Sequence, residues 1–414
     1  MRRALYSLVL YLLLPWALLH LAWRARRQPD YLRHVGERFG FFPGDLPSGV
    51  IWIHAVSVGE TRAAEPLIKA LQARHPGKRI LLSHGTPTGR QTGIELYGDR
   101  VERCYLPYDF SWASRRFLRR LRPVVGMFME TEIWPNLIEA SRKSAVPVYL
   151  VNARMSEKSA RGYRRIGALM RDALGMLSGI GAQTERDAQR LTALGATLVS
   201  ITGNIKFDRA TPVEMLALGA TLRAFFGLHR PVFLAASTRQ GEEALILDAL
   251  ASPVIPGLLT VIVPRHPQRF EEVVILATQR GYKVQRRSEN RPIDADTRIV
   301  IGDSMGEMFA YYAACDVAFV GGSLLPLGGQ NLLEACAVGR PAIVGPHTFN
   351  FEEATRGAIE AGAAIRVTDA RQLGSTLGQL LGDASRRNAM AAAGTRFTDA
   401  HRGATEKTLE LLRW

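Results

Sequence analysis

Apolar positions along the chain follow two different rhythms. Residues 4–23, ALYSLVLYLLLPWALLHLAW, form one continuous run without Asp, Glu, Lys or Arg, about as long as a helix needs to be to cross a bilayer. After Pro47 the rhythm changes to short apolar runs separated by helical patterns. Strands are expected at 50–53, 80–83, 124–129, 148–151, 179–182 and 198–201, and again at 232–236, 259–263, 298–301, 317–320, 341–344 and 364–367. Such alternation makes βαβ units and parallel sheets. The chain therefore reads as α/β, with two tandem Rossmann-like domains facing a central cleft behind an N-terminal membrane-anchoring helix. The expected boundaries are 1–27, 28–210 and 211–414. The join falls between 207 and 228, where Pro212 interrupts the pattern, and the last stretch, 384–414, could cross back onto the first domain.

Charge sharpens this division. The net charge is +15, and residues 1–207 hold 31 Lys and Arg against 16 Asp and Glu, while residues 208–414 hold 22 of each. The whole excess lies in the first half, which points to an anionic partner there, either nucleic acid or a membrane with phosphorylated lipids. The basic residues are not interleaved with the aromatics on which single strands stack, which argues against nucleic acid. Arg2 and Arg3 precede the apolar run, and Arg24, Arg26, Arg27, Arg33 and Arg38 follow it. That bias would leave the bulk of the protein in the cytoplasm. The basic stretch after the run and the lack of a small-residue cleavage site do not fit a signal peptide. Pro15 and His20 weaken a span, so a tilted or interfacial anchor stays open. Cys104, Cys315 and Cys336 lie far apart, with neither metal-ligand nor disulfide spacing.

Candidate chemistry sits where strands end, because open α/β sheets bind ligands beyond the carboxyl ends of their strands. In VIWIHAVSVGE, a strand at 50–53 leads through a turn to Glu60 at the expected start of a helix. Glu60 is either a general base or a carboxylate complementing the helix dipole, and the helix N-terminus should favour its charged form. Pro66, six residues on, offers an alternative helix start that would leave Glu60 on a loop. The strand at 124–129 ends in Glu130-Thr131-Glu132-Ile133-Trp134-Pro135-Asn136, where Glu132 and Trp134 could simply fix the loop. Lys206 lies in GNIKFD at the end of the first domain, where a lysine is a solvated charge or, beside a departing phosphate, a transition-state stabiliser.

In the second half, FVGGSLLPLGGQNLLEA carries two glycine pairs before a helical run with Asn331, Leu332, Leu333 and Glu334. Paired glycines let backbone N–H groups approach a phosphate. Pro264, Arg265 and His266 follow the strand at 259–263, and Met305, Gly306 and Glu307 follow the strand at 298–301. Together these loops suggest a nucleotide pocket, although neither a dinucleotide fingerprint nor a Walker motif is present. Asp294 and Asp296 form D-x-D in a polar loop before a strand, which reads as a solvated turn. No metal and no cofactor are expected.

Taken in order, HAVSVGE, METEIWPN, NARMS, GNIKFD, ASTRQGEE, PRHP, DSMGE, FVGGSL and GGQNLLEA resemble the Kdo transferase family, the bacterial enzymes that add 3-deoxy-D-manno-octulosonic acid (Kdo) to the lipid A precursor. The resemblance implies a GT-B fold, CMP-Kdo as donor and a tetra-acylated, bisphosphorylated lipid (lipid IVA) as acceptor. It also implies a metal-independent, inverting transfer at the cytoplasmic face of the inner membrane, in lipopolysaccharide core assembly. By resemblance the proton acceptor falls on Glu60 and the transition-state stabilisers on Glu130 and Lys206. CMP contacts fall on Pro264, Arg265 and His266, on Met305, Gly306 and Glu307, and on Asn331 to Glu334. The alternative is another membrane-associated GT-B enzyme using a UDP-sugar.

Overall fold

The computed structural model describes residues 2–42, 46–209, 211–251 and 255–414. The chain divides into two compact units, Met1–Arg209 with His401–Trp414, and Ala210–Ala400. Among the described residues each unit holds one parallel sheet of seven strands.

In the first unit the strands are β1 (Ile51–His54), β2 (Ile80–His84), β3 (Glu102–Tyr105), β4 (Val125–Met129), β5 (Val148–Ala153), β6 (Gly179–Ala182) and β7 (Val199–Ile201). Their order is β3-β2-β1-β4-β5-β6-β7. The direction of winding reverses between β1 and β4, which pair in parallel with Ile51 beside Val125 and His54 beside Phe128. Both faces of the sheet are covered. Val50, Trp52, Leu81, Phe128 and Leu150 enter one core cluster, while Ile51, Ile53, Leu82, Met127 and Val151 enter the other. Burial on both faces is why the central strands are continuous apolar runs in the sequence.

The second unit repeats the plan with β8 (Val232–Thr238), β9 (Leu259–Pro264), β10 (Val284–Arg286), β11 (Ile299–Ile301), β12 (Val317–Val320), β13 (Ala342–Val344) and β14 (Ala364–Arg366). The order is β10-β11-β9-β8-β12-β13-β14, so the reversal falls between β8 and β12.

The terminal helix Ala404–Leu411 belongs to the first unit. Asp208 accepts the Gly403 N–H at 2.7 Å and also the Thr405 N–H, capping that helix. Leu411 packs so closely on β6 that a Cβ at Gly179 would come within 3.1 Å of its side chain. The long apolar helix Arg2–Arg27 is tied to the same unit at its start. Arg3 pairs with Glu139, the Tyr6 hydroxyl donates to Asp109 Oδ2 at 3.0 Å, the Ser7 hydroxyl donates to Asn136 Oδ1 at 3.1 Å, and Tyr11 stacks on Phe110. Leu12, Trp16 and Leu19, beyond these ties, are 71%, 62% and 71% exposed.

Candidate active site

The reversal point of the first sheet is where ligands are expected, and Glu60 and Glu130 follow the two strands that flank it. Ser57 caps the helix Val58–Ala63, so the helix begins at Val58 and Glu60 stands in its first turn. The alternative start at Pro66 is corrected: that proline occupies the first turn of the next helix, Glu65–Arg74, where its missing N–H costs nothing. The Glu60 carboxylate turns back, accepting the Val56 N–H at 2.7 Å and the Ser57 hydroxyl at 3.0 Å. This is close to a capping box.

The expected preference for the charged form is also overturned. Burial, then the neighbouring Glu130 carboxylate, push the Glu60 carboxyl up to about 7, against the Val56 and Ser57 hydrogen bonds that pull it down. Desolvation outweighs the end of a helix of only 6 residues.

Glu130 takes a left-handed backbone, φ 58°, held by its N–H to the Val151 carbonyl at 3.1 Å. Its Oε1 accepts Lys206 Nζ at 3.0 Å. Lys206 is aimed by a chain of amides. Asn152 Oδ1 accepts the Ile205 N–H, Gln183 Nε2 donates to the Asn152 carbonyl, Asn204 Nδ2 donates to Gln183 Oε1, and Asn204 Oδ1 accepts the Lys206 N–H, all within 2.9–3.1 Å. Three of the sequence candidates, Glu60, Glu130 and Lys206, therefore meet in one electrostatic group. Glu132 joins them: it adds to the field on Glu60, burial raises its own carboxyl, and Trp134 Nε1 donates to it at 2.9 Å.

Behind Glu132 lies His54, for which the sequence suggested no role. Its Nδ1 is 3.0 Å from the Ser83 carbonyl, so Nδ1 holds the proton and Nε2 faces Glu132 at 4.0 Å. Complete burial pushes its pKa down to about 3, so the ring is neutral. A histidine ending a wholly apolar strand was the available signal.

In the second unit, the Pro264, Arg265 and His266 loop leaves β9, with the Arg265 N–H on the Thr238 carbonyl at 2.9 Å and His266 exposed. Met305 is exposed, Gly306 takes φ 83°, and Glu307 accepts the Ser304 hydroxyl at 2.6 Å and pairs with Arg287 at 3.3 Å. Asn331 Oδ1 accepts the Leu333 N–H at 3.2 Å. Leu332 and Leu333 are buried, so only their backbone can reach a ligand, while Glu334, in the first turn of the helix Leu333–Ala337, is half-buried. Asp294 and Asp296 are both paired with Lys283 at the exposed edge of the sheet.

The first glycine pair does not offer its amides to a phosphate as the sequence suggested. Glu242, fully buried after β8, accepts the N–H groups of Gly322, Ser323 and Leu324 at 2.5, 2.9 and 3.0 Å, and that of Arg239 at 2.9 Å. Glu243 beside it accepts the Thr238 hydroxyl at 2.7 Å and two bonds from Arg269, at 2.6 and 3.1 Å.

Two doubly wound units, each a parallel sheet of seven strands with one reversal point, define the GT-B class. A UDP-GlcNAc 2-epimerase from Neisseria meningitidis, solved with UDP-GlcNAc, superposes with a TM-score of 0.59 over 87% of this chain and 98% of its own at 15% identity, a likeness of fold alone. Residues 33–209 match the family described as 3-Deoxy-D-manno-octulosonic-acid transferase (kdotransferase). The chain is 44% identical to the 3-deoxy-D-manno-octulosonic acid transferase of Bordetella pertussis, over 100% of this chain and 99% of that one. It is 37% identical to that of Haemophilus influenzae, over 100% and 98%. The chain belongs to the Kdo transferases, glycosyltransferases of lipopolysaccharide biosynthesis.

Proposed function

We propose that the chain transfers Kdo from CMP-Kdo to the bisphosphorylated lipid A precursor, lipid IVA, with inversion, and that Glu60 is the general base. The observation that carries this reading is Glu60 itself: a partly buried carboxyl raised to about 7 beside Glu130 and its partner Lys206. A base poised near the working pH is the efficient one. Glu60 takes the proton of the acceptor hydroxyl as that oxygen bonds to the anomeric carbon of Kdo. The bond from that carbon to the CMP phosphate oxygen breaks on the opposite face, and CMP carries off the electron pair. Lys206, held by Glu130, supplies a fixed positive charge for the transition state. The leaving group carries a single phosphate, so cations and N–H donors suffice and no metal is required.

The loops of Pro264 to His266, Met305 to Glu307 and Asn331 to Glu334 are assigned to the CMP-sugar. The excess charge of the first half suits a phosphorylated lipid in the anionic cytoplasmic leaflet of the inner membrane. The helix Arg2–Arg27 is read as lying in that leaflet rather than crossing it. Its first turns are bonded to a polar domain as far as Tyr11, and the roughly 16 residues left span about 24 Å, short of the ~30 Å hydrocarbon core.

The test is the purified full chain with CMP-Kdo and lipid IVA. CMP release with a Kdo-bearing lipid in the mass spectrum is expected. Release of CMP without a glycosylated lipid, or turnover with a UDP-sugar instead, would remove the assignment.

A further inference from the structure

Glu242 takes no part in the chemistry above, yet its surroundings are built around a negative charge. It is fully buried in the first turn of the helix Glu242–Ala249. A carboxylate there ordinarily serves its own helix end. Here three of its four N–H donors belong to consecutive residues 80 to 82 positions further along the chain. Three successive amides converging on one anion form a nest, and this nest is filled from within.

The placement matters because β8 and β12 flank the reversal point of the second sheet. Glu242 follows β8, and the glycine loop follows β12. The two are pressed together: a Cβ at Gly321 would lie 2.7 Å from the Ser237 carbonyl oxygen and from Thr238 Cα. Gly322 takes φ 71° to present its amide, and its carbonyl accepts the Gly329 N–H at 2.7 Å. The segment running into Asn331 and Glu334 therefore hangs from the loop that Glu242 holds. Burial raises the Glu242 carboxyl, against the four N–H bonds that pull it down; each oxygen accepts two of those bonds, so a proton would have to displace one of them.

We propose that Glu242 is a positioning residue for donor binding, a built-in anion that holds the loop from Gly321 to Leu324, and through Gly329 the segment to Glu334, in the shape that receives the CMP-sugar. This rests on the reading that the second unit binds CMP-Kdo.

The experiment measures CMP affinity by calorimetry, and KM for each substrate, in the full-length protein and its Glu242→Ala and Glu242→Gln variants, with and without acetate. Glu242→Ala should weaken CMP by about 10- to 100-fold, the scale of lost hydrogen bonds to a charged group. Acetate should restore binding saturably, because it puts a carboxylate back among the four amides. Glu242→Gln keeps the volume and supports folding; it should raise KM for CMP-Kdo, leave KM for the lipid unchanged and show no acetate rescue. Wild-type CMP affinity in either variant, or equal rises in both KM values, overturns the proposal. Absence of CMP binding by the unmodified protein overturns the nucleotide reading and this proposal together.

Discussion

Replacing Glu60 by Gln should make the first unit more stable at high pH while disabling it. Holding a carboxyl at about 7 in the fold against 4.5 in the open chain costs its ionised form about 3 kcal/mol. The folded pKa is the raised one. Its contribution to stability is therefore fully present below about 4.5 and lost as the pH rises through about 7. Gln carries no such charge, but it can accept only one of the two bonds from the Val56 N–H and the Ser57 hydroxyl, a loss of about 1 kcal/mol. At pH 5 the variant should match the parent or fall slightly below it. At pH 8.5 it should be more stable by about 2 kcal/mol, a rise of roughly 4–8 °C in the melting temperature of a unit this size. Thermal unfolding of both proteins across that pH range checks this. A difference that does not change with pH, or that moves the other way, would refute the assignment of burial and Glu130 as the causes of the shift.

Other outcomes follow from the same geometry. Glu130→Gln removes a like charge beside Glu60 and should move the rising limb of the pH–rate profile to lower pH, whereas Lys206→Met leaves Glu130 uncompensated and should move it higher; profiles of kcat/KM for both variants measure this. Tyr6→Phe cuts the bond to the buried Asp109 carboxylate and should loosen the start of the N-terminal helix, read as faster proteolysis after Arg2 and Arg3 in detergent, with catalysis in micelles little changed. Exhaustive chelation should leave turnover within about twofold of the untreated enzyme, since fixed charges are assigned the work of a metal; a large loss restored by a divalent ion would contradict that assignment.

Much of the fold is legible in the sequence because the inner strands are buried on both faces and are therefore unbroken apolar runs. The two strands not anticipated, β3 and β10, stand at sheet edges. Glu102-Arg103 and Gln285-Arg286 place polar side chains there, as edge strands do, so no apolar run marks them. Glu60, Glu130 and Lys206 stand out in the sequence as residues at strand ends, but the electrostatics of Glu60 do not. Its pKa is set by burial and by Glu130, 70 positions away, and local reasoning about a helix end gives the wrong sign. Glu242 was hidden for the same reason. Within ASTRQGEE it is an acidic residue opening a helix, and only the approach of the glycine loop turns it into the occupant of an anion nest. Leu332 and Leu333 show the reverse: they stand beside Asn331 and Glu334 in the sequence, yet the core takes their side chains.

The pH dependence of Kdo transfer tests whether Glu60 is the base. With CMP-Kdo and lipid IVA, kcat/KM of the parent should rise about tenfold per pH unit below about 7 and then level off. Glu60→Gln should lose about 10²- to 10⁴-fold and with it the rising limb. A Glu60→Gln enzyme that keeps near-full turnover, or keeps that limb, would show that Glu60 is not the base.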